Sequence, residues 1–307
     1  MFVSLGEALI DLIHAPGEAA PRARNGGSSY NVAIALARLG HETGFLCPLS
    51  SDDYGRQLPN GLKQEKVRLC VSVPVEAPTA IAEVVTGAGG QPRYTFHREQ
   101  TADRAVREAR PVDWLPEATE ALHFGSLVLA QEDDWPAWKE AVSRARDRGA
   151  LIAFDPNLRP ALIDDMSRYR ERVEEAVALA HLVKASDEDL THLDPGEAPE
   201  TRLRRWLTQG RTVVLTRGDR GAELWGPGGL HVMSGSPVLG AVVDTVGAGD
   251  TFQAALLSRA SQERLHQGPL VEETAREMLQ YACTAAAINC ARVGCDPPTR
   301  SELNADR

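Results

Sequence analysis

Short apolar runs alternate with segments of helical periodicity along most of this chain. The apolar runs are bounded by Gly, Asp or Asn, and they cover residues 2–5, 121–124, 151–154, 182–184 and 212–216. Helical spacing of apolar residues lies between them at 31–39, 134–148 and 169–180, and Gly40 and Gly149 follow two of these segments as helix stops. Strands that alternate with helices are typical of βαβ units. The pattern therefore predicts a parallel sheet covered by helices on both faces.

The region between residues 70 and 104 departs from this alternation. Segments 71–75, 80–86 and 93–97 alternate apolar and polar residues, and a Gly-Ala-Gly-Gly turn at 87–90 joins the last two. This pattern predicts a small antiparallel sheet with one face in water. Together with residues 12–25 it could form a lid over a cleft or a dimer surface. An exposed hairpin without a role is the alternative.

A second departure follows Thr216. Residues 217–221 predict a tight turn, and 222–225 and 230–233 predict an antiparallel edge of the main sheet. The chain then returns at 238–243, which we interpret as a further strand.

Length, charge and cysteine usage limit the class of protein. A chain of 307 residues can bury one large core or be split into two smaller domains, and of the two we expect a single domain over residues 1–307. The formal net charge of −10 argues against a nucleic-acid partner, which requires a basic surface. Five cysteines without C-x-x-C spacing predict reduced thiols in a cytoplasmic protein. The first residues lack the pattern of a signal peptide, and no apolar run is long enough to span a bilayer, so we expect no membrane partner.

A turn of small residues at 244–249 leads from the predicted strand 238–243 into a predicted helix at 251–260. It delivers Asp250 to the N-terminus of that helix. Gly247 and Gly249 leave backbone N–H groups uncovered, and the helix dipole adds positive potential, so an anion could bind there. A carboxylate beside an anion site suits a base that works on a transferring phosphoryl group. The alternative is that Asp250 only caps the helix.

A second glycine pair, Gly26-Gly27, opens the predicted helix at 31–39. Such glycines permit close approach of the backbone to a ligand, and the amide of Asn31 can both donate to and accept from a hydroxyl. A simple turn is the alternative. Asp11, just past the first strand, could accept from two sugar hydroxyls. Arg159 follows the strand at 151–154, at the edge where open α/β sheets bind ligands, and it indicates an anionic partner.

Several other catalytic motifs are missing from the sequence. It contains no G-x-x-x-x-G-K-[ST], no H-E-x-x-H and no early G-x-G-x-x-G after a strand. A Walker-type ATPase, a zinc hydrolase and a hydride-transferring dehydrogenase are therefore disfavoured.

In this order, the segments resemble the ribokinase-like carbohydrate kinases of the PfkB family, and within it the bacterial fructokinases. Two stretches carry the likeness: 26–33 (GGSSYNVA), running on to 39–40 and 53–55, and 244–252 (DTVGAGDTF). Segments 6–11, 123–126 and 155–160 are also similar, so the likeness extends from the first strand to residues 298–299. The resemblance implies a three-layer α/β/α sandwich with a mainly parallel central sheet and a small antiparallel β lid.

The resemblance also implies transfer of the γ-phosphoryl group from Mg·ATP to a primary hydroxyl of a sugar. Asp250 would be the base, and the N–H groups of Gly247, Ala248 and Gly249 would form the anion hole. The residues implied to hold the sugar are Asp11, Gly27, Asn31, Arg98 from the lid, and Arg159, which approaches the sugar end or the transferring phosphate. The residues implied to bind the nucleotide are Ser186, Thr216, Gly218, Gly221 and Cys283. A monovalent cation such as K⁺ would contact Asp244 and the carbonyl of Val246.

Three positions depart from the family pattern. The family's N-x-x-E is Ser186-Asp187-Glu188-Asp189 here, and the shorter Asp189 would reach Mg²⁺ through a water. Cys283 stands where an Asn commonly lies near the adenine. Gly294-Cys295 replaces a Gly-Ala turn beside the cation site.

Near relatives differ in their sugars, and the likeness to fructokinases favours fructose. The alternatives are 2-keto-3-deoxygluconate, whose carboxylate would need a cation such as Arg98 or Arg104, and aminoimidazole riboside. A regulator that binds a sugar or nucleotide without catalysis is an alternative from a different class. The intact segment 247–250 argues against it, because a pure binder needs no base. Dimerisation through the lid is common in the family, so a homodimer is a further expectation.

Overall fold

The computed structural model describes residues 1–14, 20–71, 73–86 and 92–305, which form strands, α-helices and short 3₁₀ turns. The strands are β1 (Phe2–Leu5), β2 (Leu9–His14), β3 (Arg22–Gly26), β4 (Thr43–Leu46), β5 (Arg68–Leu69), β6 (Ala80–Thr86), β7 (Pro92–His97), β8 (Ala121–Gly125), β9 (Leu151–Asp155), β10 (Leu182–Ser186), β11 (Thr212–Thr216), β12 (Ala222–Gly226) and β13 (Leu230–Ser234). The α-helices are α1 (Ser28–Arg38), α2 (Asp53–Gln64), α3 (Val106–Ala109), α4 (Trp135–Asp147), α5 (Met166–Leu179), α6 (Asp187–Leu193), α7 (Pro199–Thr208), α8 (Ala248–Gln262), α9 (Glu272–Cys290) and α10 (Arg300–Ala305).

The large sheet contains nine strands over the described residues, in the order β13-β12-β11-β10-β9-β8-β1-β4-β5. All neighbours from β5 through β11 pair in parallel. β12 and β13 extend the β11 edge as antiparallel strands. The mainly parallel sheet and the antiparallel edge after Thr216 are therefore confirmed.

Each face of this sheet carries its own hydrophobic cluster, because successive strand residues point to opposite faces. Leu122 of β8 belongs to the cluster that contains Trp138 of α4. The preceding residue, Ala121, belongs to the other cluster, together with Leu36 of α1 and Leu256 of α8. Helices thus cover both faces, as the alternating pattern predicts, and the architecture is a three-layer α/β/α sandwich.

A second sheet has the order β3-β2-β6-β7. β2 pairs with β3, and β6 with β7, in antiparallel fashion, while the middle pair β2–β6 is parallel. The small lid sheet is therefore present with one parallel pair inside it. The turn expected at 87–90 lies outside the described residues.

Two strand predictions, those for residues 238–243 and 71–75, are wrong. Residues 238–243 form a loop after Pro237, with Val238 92% exposed and Val242 71% exposed. Their apolar side chains suggested a buried strand, but the loop instead forms one wall of a cleft. The described residues of 71–75 form no strand either, apart from a single bridge between Val75 and Ser50. Pro74 has no N–H to donate to a neighbouring strand, which explains why the strand predicted at 71–75 does not form.

The helices that the structure describes include none with the length and apolar character needed to cross a membrane.

Candidate active site

Three adjacent parallel strands end at the place where the chemistry-bearing segments meet. β9 ends at Asp155, β10 at Ser186 and β11 at Thr216. The N-termini of α1 and α8 reach the same edge, where side chains of α1 contact Asp250 of α8. Open α/β sheets bind their ligands at this carboxyl edge. The topology therefore assembles one site from segments far apart in the chain.

Asp250 is the third residue of α8, and it is buried. Its Oδ1 accepts a 2.6 Å hydrogen bond from the Ser28 hydroxyl, and its Oδ2 accepts a 2.8 Å bond from Nδ2 of Asn31. Nδ2 of Asn157 lies 3.5 Å from Oδ1. These partners belong to α1 and to the loop after β9. The carboxylate is thus bonded to other elements across the site, which differs from the geometry of a simple helix cap.

The turn before Asp250 is shaped by Gly247. This residue has a φ of 74°, and a Cβ on it would lie 2.3 Å from Sγ of Cys295. Both constraints require glycine. The N–H groups of the first helical turn have no intrahelical acceptors. That of Ala248 donates to the Thr245 carbonyl at 3.2 Å. Gly249 and Asp250 follow it in the same turn, where the helix dipole favours an anion.

The charges around Asp250 are coupled. Burial raises the pKa of Asp250, while the hydrogen bonds from Ser28 and Asn31 lower it. Burial and the nearby charge of Asp250 raise the pKa of Asp11 to about 6. The Arg159 guanidinium opposes the rise in the pKa of both carboxyls. Of the residues expected to hold a sugar, Asn31 thus bonds to the expected base, and Asp11 and Arg159 interact with it electrostatically.

Glu7 and Ser28 were given no role by the sequence analysis, yet they fix the start of α1. Gly27 precedes the helix with a φ of 107° and has no side chain to cap it. Glu7 substitutes for that cap, because its Oε1 accepts a 2.8 Å bond from the Ser28 N–H. A Cβ on Gly27 would lie 2.8 Å from the Glu7 carbonyl oxygen. The helix thus begins at Ser28, three residues earlier than expected, and this start directs the Ser28 hydroxyl at Asp250.

A cleft of about 480 Å³ opens between the ends of β10 and β11, the N-terminus of α8 and the side of α9. All five residues expected to bind a nucleotide line it: Ser186, Thr216, Gly218, Gly221 and Cys283. Ala248 and Gly249 line its inner end, next to Asp250. Apolar walls with a few polar groups at one end are typical of small-molecule sites of this size. The arrangement fits a nucleotide whose base lies near Cys283 and whose phosphates point toward Gly249.

Asp189, expected to reach Mg²⁺ through a water, connects two strand ends. One carboxylate oxygen accepts a 2.7 Å bond from the Leu158 N–H, and the other accepts from the N–H and the hydroxyl of Ser186 at 2.8 and 2.7 Å. The described residues contain no group of three or more His, Cys, Asp or Glu that could hold a metal ion. With both oxygens bonded to protein donors, the Asp189 carboxylate fits a role in which it would reach Mg²⁺ through a water, as Mg²⁺ usually keeps several waters.

The two residues expected at a monovalent cation lie beside the anion-binding turn. Asp244 accepts a 3.0 Å bond from the Val246 N–H and a 2.8 Å bond from the Gly294 N–H. The Val246 carbonyl accepts a 2.8 Å bond from Nδ2 of Asn289. The Asp244 carboxylate is thus bonded to the loop after α9, and the Val246 carbonyl to the last turn of α9.

Arg98 is close enough to Glu7, the residue that caps α1, to lower the pKa of its carboxyl. It is buried, and its Nε donates to Oδ2 of Asp103 at 2.6 Å. Arg104 is likewise paired, with Oδ2 of Asp134 at 2.8 Å. The structure places Arg98 in this ion pair at the end of β7.

Lys184 is a further residue that sequence reasoning missed. It lies in β10, it is buried, and its Nζ donates to Oδ2 of Asp155 at 2.9 Å. The one signal in the sequence was a lysine inside an otherwise apolar run. Such a residue requires a partner when buried.

The chain is similar to known proteins over almost its full length. The model of the pfkB family carbohydrate kinases matches residues 1–302. The chain is 31% identical to fructokinase-2 of Solanum lycopersicum, over 98% of this chain and 94% of that protein. It is 34% identical to a fructokinase of Rhizobium leguminosarum bv. trifolii, over 86% and 81% respectively.

Solved structures are similar over the same extent. An aminoimidazole riboside kinase from Salmonella enterica superposes with a TM-score of 0.85 and 26% identity, covering 99% of this chain and 98% of that one. A fructokinase from Vibrio cholerae O395, in its fructose, ADP and calcium ion bound form, superposes with a TM-score of 0.84 and 27% identity, covering 99% and 97%.

The fold and the cleft beside a buried carboxylate define a small-molecule kinase, and this chain belongs to the PfkB family of carbohydrate kinases. It is an ATP-dependent carbohydrate kinase similar to the fructokinases.

Proposed function

We propose that this kinase phosphorylates the primary hydroxyl of fructose, with Asp250 as the catalytic base. The observation that carries the proposal is the position of Asp250. Its carboxylate is the third residue of α8, beside the inner end of the nucleotide cleft, and it is bonded to Ser28 and Asn31. A base is useful at this point, because the hydroxyl and the γ-phosphate meet there.

In the proposed reaction, Asp250 takes the proton of the sugar hydroxyl as its oxygen bonds to the γ-phosphorus. The bond from phosphorus to the β–γ bridging oxygen breaks, and its electron pair leaves with ADP. The N–H groups of Gly247 and Gly249 and the dipole of α8 stabilise the charge on the transferring group. The Ala248 N–H, expected to share this role, already donates to the Thr245 carbonyl. Asp11 and Asn31 hold sugar hydroxyls, Gly27 allows close approach, and Arg159 neutralises charge near Asp250.

ATP occupies the cleft in this proposal, with Mg²⁺ on its phosphates. The nucleotide would lie along a part of the cleft that is lined by Ser186, Thr216, Gly218 and Gly221. Cys283 lies where the adenine would bind. Bound Mg²⁺ would neutralise phosphate charge. Asp189 orders the Leu158 and Ser186 backbone. It would act on a bound Mg²⁺ through a water.

The choice of fructose rests on the relatives, because the curated proteins and solved structures similar to this chain include fructokinases. Aminoimidazole riboside is the second candidate, because a kinase for that substrate superposes on this chain with a TM-score of 0.85.

The test is steady-state kcat/KM for fructose, aminoimidazole riboside, 2-keto-3-deoxygluconate and ribose, measured by coupled ADP release. We expect fructose to give the highest value. A higher value for any of the others would reject fructose as the substrate. Stabilisation by a sugar without ADP release from any of the four would instead favour a non-catalytic binder.

A monovalent cation beside Asp244 is part of the proposal. The Asp244 carboxylate and the Val246 carbonyl supply oxygen ligands close to the turn that holds the phosphoryl group. We expect K⁺ to raise kcat relative to choline at equal ionic strength, and Asp244→Asn to remove the difference.

A further inference from the structure

Lys184 faces the anion-binding turn from the floor of the cleft. It belongs to β10, and its residue surface is 4% exposed. A Cβ built on Gly249 would lie 3.5 Å from its Nζ, so the ammonium packs directly beneath the first turn of α8. Lys184 also lines the cleft together with Gly249 and Asn157.

The Lys184 ammonium has more N–H donors than the described residues supply acceptors. It carries three N–H donors. Within the described parts of the chain, Oδ2 of Asp155 is the acceptor found within hydrogen-bond distance of Nζ, at 2.9 Å. Two donors therefore remain for an acceptor that enters from the cleft. A buried ammonium with unused donors is costly unless a ligand completes it.

The charges around Lys184 also favour a phosphate as the acceptor for its free N–H groups. Asp155, Asp189 and Asp250 all act on Lys184. Burial lowers the pKa of Lys184, and these three carboxylates more than compensate, so its pKa is raised and the group stays cationic. A triphosphate that approached three carboxylates without a cation would be repelled. Lysine is a common partner for phosphate because it acts as a compact positive charge.

We infer that Lys184 is a catalytic residue that donates a hydrogen bond to a non-bridging oxygen of the transferring γ-phosphoryl group, opposite the N–H groups of Gly249 and its neighbours. This inference rests on the proposed function, because it places the γ-phosphate at the inner end of the cleft. Lys184 transfers no proton. The hydroxyl proton still goes to Asp250, and the bridging oxygen still leaves with ADP.

The competing explanation is that Lys184 only neutralises Asp155. The two explanations differ in what they predict for the γ-phosphate. If Lys184 only neutralises Asp155, its loss destabilises the residues that line the cleft and weakens the binding of diphosphate and triphosphate alike. A lysine that contacts the γ-phosphoryl group discriminates a triphosphate from a diphosphate.

The test compares the affinities of AMP-PNP and ADP, measured with Mg²⁺ by calorimetry, for the wild type and for Lys184→Met. We expect AMP-PNP affinity to fall about 10-fold or more and ADP affinity to stay within about 2-fold, with kcat falling about 10²- to 10³-fold, the usual effect of losing one donor to a transition-state anion. Lys139→Met, an exposed lysine of α4 paired with Glu175, is the matched control and should change none of these values.

A second variant separates contact from neutralisation. Lys184→Met leaves the Asp155 carboxylate buried and unpaired, which destabilises the fold. Lys184→Met combined with Asp155→Asn removes both charges and should recover the melting temperature. We expect this double variant to keep the losses in kcat and in AMP-PNP affinity. Recovery of kcat in the double variant, or equal loss of ADP and AMP-PNP affinity in the single one, would overturn the inference.

The outcomes separate this inference from the proposed function. A sugar other than fructose in the substrate panel would reject the fructose proposal and leave the nucleotide affinities as the test of Lys184. A wild-type chain that bound neither nucleotide would overturn both.

Discussion

Ser28 donates a 2.6 Å hydrogen bond to Oδ1 of Asp250, although the two residues are 222 positions apart in the chain. Nδ2 of Asn157 in turn donates to the Ser28 hydroxyl at 2.8 Å. A chain of donors therefore runs from the loop after β9, through the first residue of α1, to the carboxylate at the start of α8. These bonds orient the carboxylate and favour its ionised form.

Asp250→Asn should lower kcat by about 10²- to 10⁴-fold, the usual contribution of a positioned base. Sugar and nucleotide binding should largely survive, because the amide keeps the size of the side chain. Steady-state kinetics at saturating substrates, with calorimetric affinities, test this. Asp147→Asn, at an exposed position of α4, is the control. Near-normal turnover in Asp250→Asn would reject the role of the base.

Ser28→Ala should shift the acid limb of the kcat–pH profile to higher pH. The hydroxyl stabilises the charged carboxylate, so its loss raises the pKa of Asp250. The control is Ser29→Ala, since the Ser29 hydroxyl donates to the Leu5 carbonyl and has no bond to Asp250. Ser29→Ala should lower the melting temperature and leave the acid limb of the kcat–pH profile at the wild-type pH. Identical profiles for wild type and Ser28→Ala would contradict the prediction.

Asp11→Asn should weaken sugar binding and stabilise the fold at neutral pH. The folded-state pKa of Asp11 is about 6, above the ordinary 3.8, so the folded chain binds this proton more tightly than the unfolded chain does. Its ionisation therefore costs up to about 3 kcal/mol of stability above pH 6, and the cost vanishes below about pH 4.

Thermal unfolding of wild type and Asp11→Asn at pH 7 and pH 4 measures this effect. The variant should melt higher at pH 7 and at about the same temperature at pH 4, while its KM for the sugar rises. An equal change at both pH values would show that the effect is not electrostatic.

Cys283→Leu should raise the KM for ATP several-fold and leave the KM for the sugar unchanged. Cys283 is 4% exposed and lines the nucleotide cleft, so a larger side chain would narrow the space for the base. Cys283→Ser keeps the size of the side chain and serves as the control. A rise in both KM values would indicate a general change of structure.

Asp189→Ala should lower both stability and kcat. Its carboxylate accepts bonds from Leu158 and Ser186, and the loss of these buried bonds costs about 1–3 kcal/mol. The Mg²⁺ concentration for half-maximal activity should also rise if Asp189 contacts the water shell of the metal. A lower melting temperature with an unchanged Mg²⁺ requirement would restrict Asp189 to holding the two strand ends together.

The strands that form the centre of the large sheet could be predicted from the sequence. Residues 2–5 and 212–216 coincide with β1 and β11, because burial on both faces produces apolar runs with clear boundaries. The same signal failed at 238–243, where apolar residues form a cleft wall with no neighbouring strand to pair with. An apolar run indicates that its side chains are buried, either inside the protein or against a ligand, so it does not by itself predict a strand.

The sequence by itself determined the alternation of elements and the two glycine-rich segments that carry Asp250 and Asn31. Both are local properties, set by periodic burial and by backbone conformations that only glycine adopts easily. The tertiary structure alone decided that Ser28 bonds to Asp250, that Asp189 joins the ends of β9 and β10, and that Lys184 lies beneath Gly249. These contacts depend on which strands become neighbours, and no local pattern encodes that order.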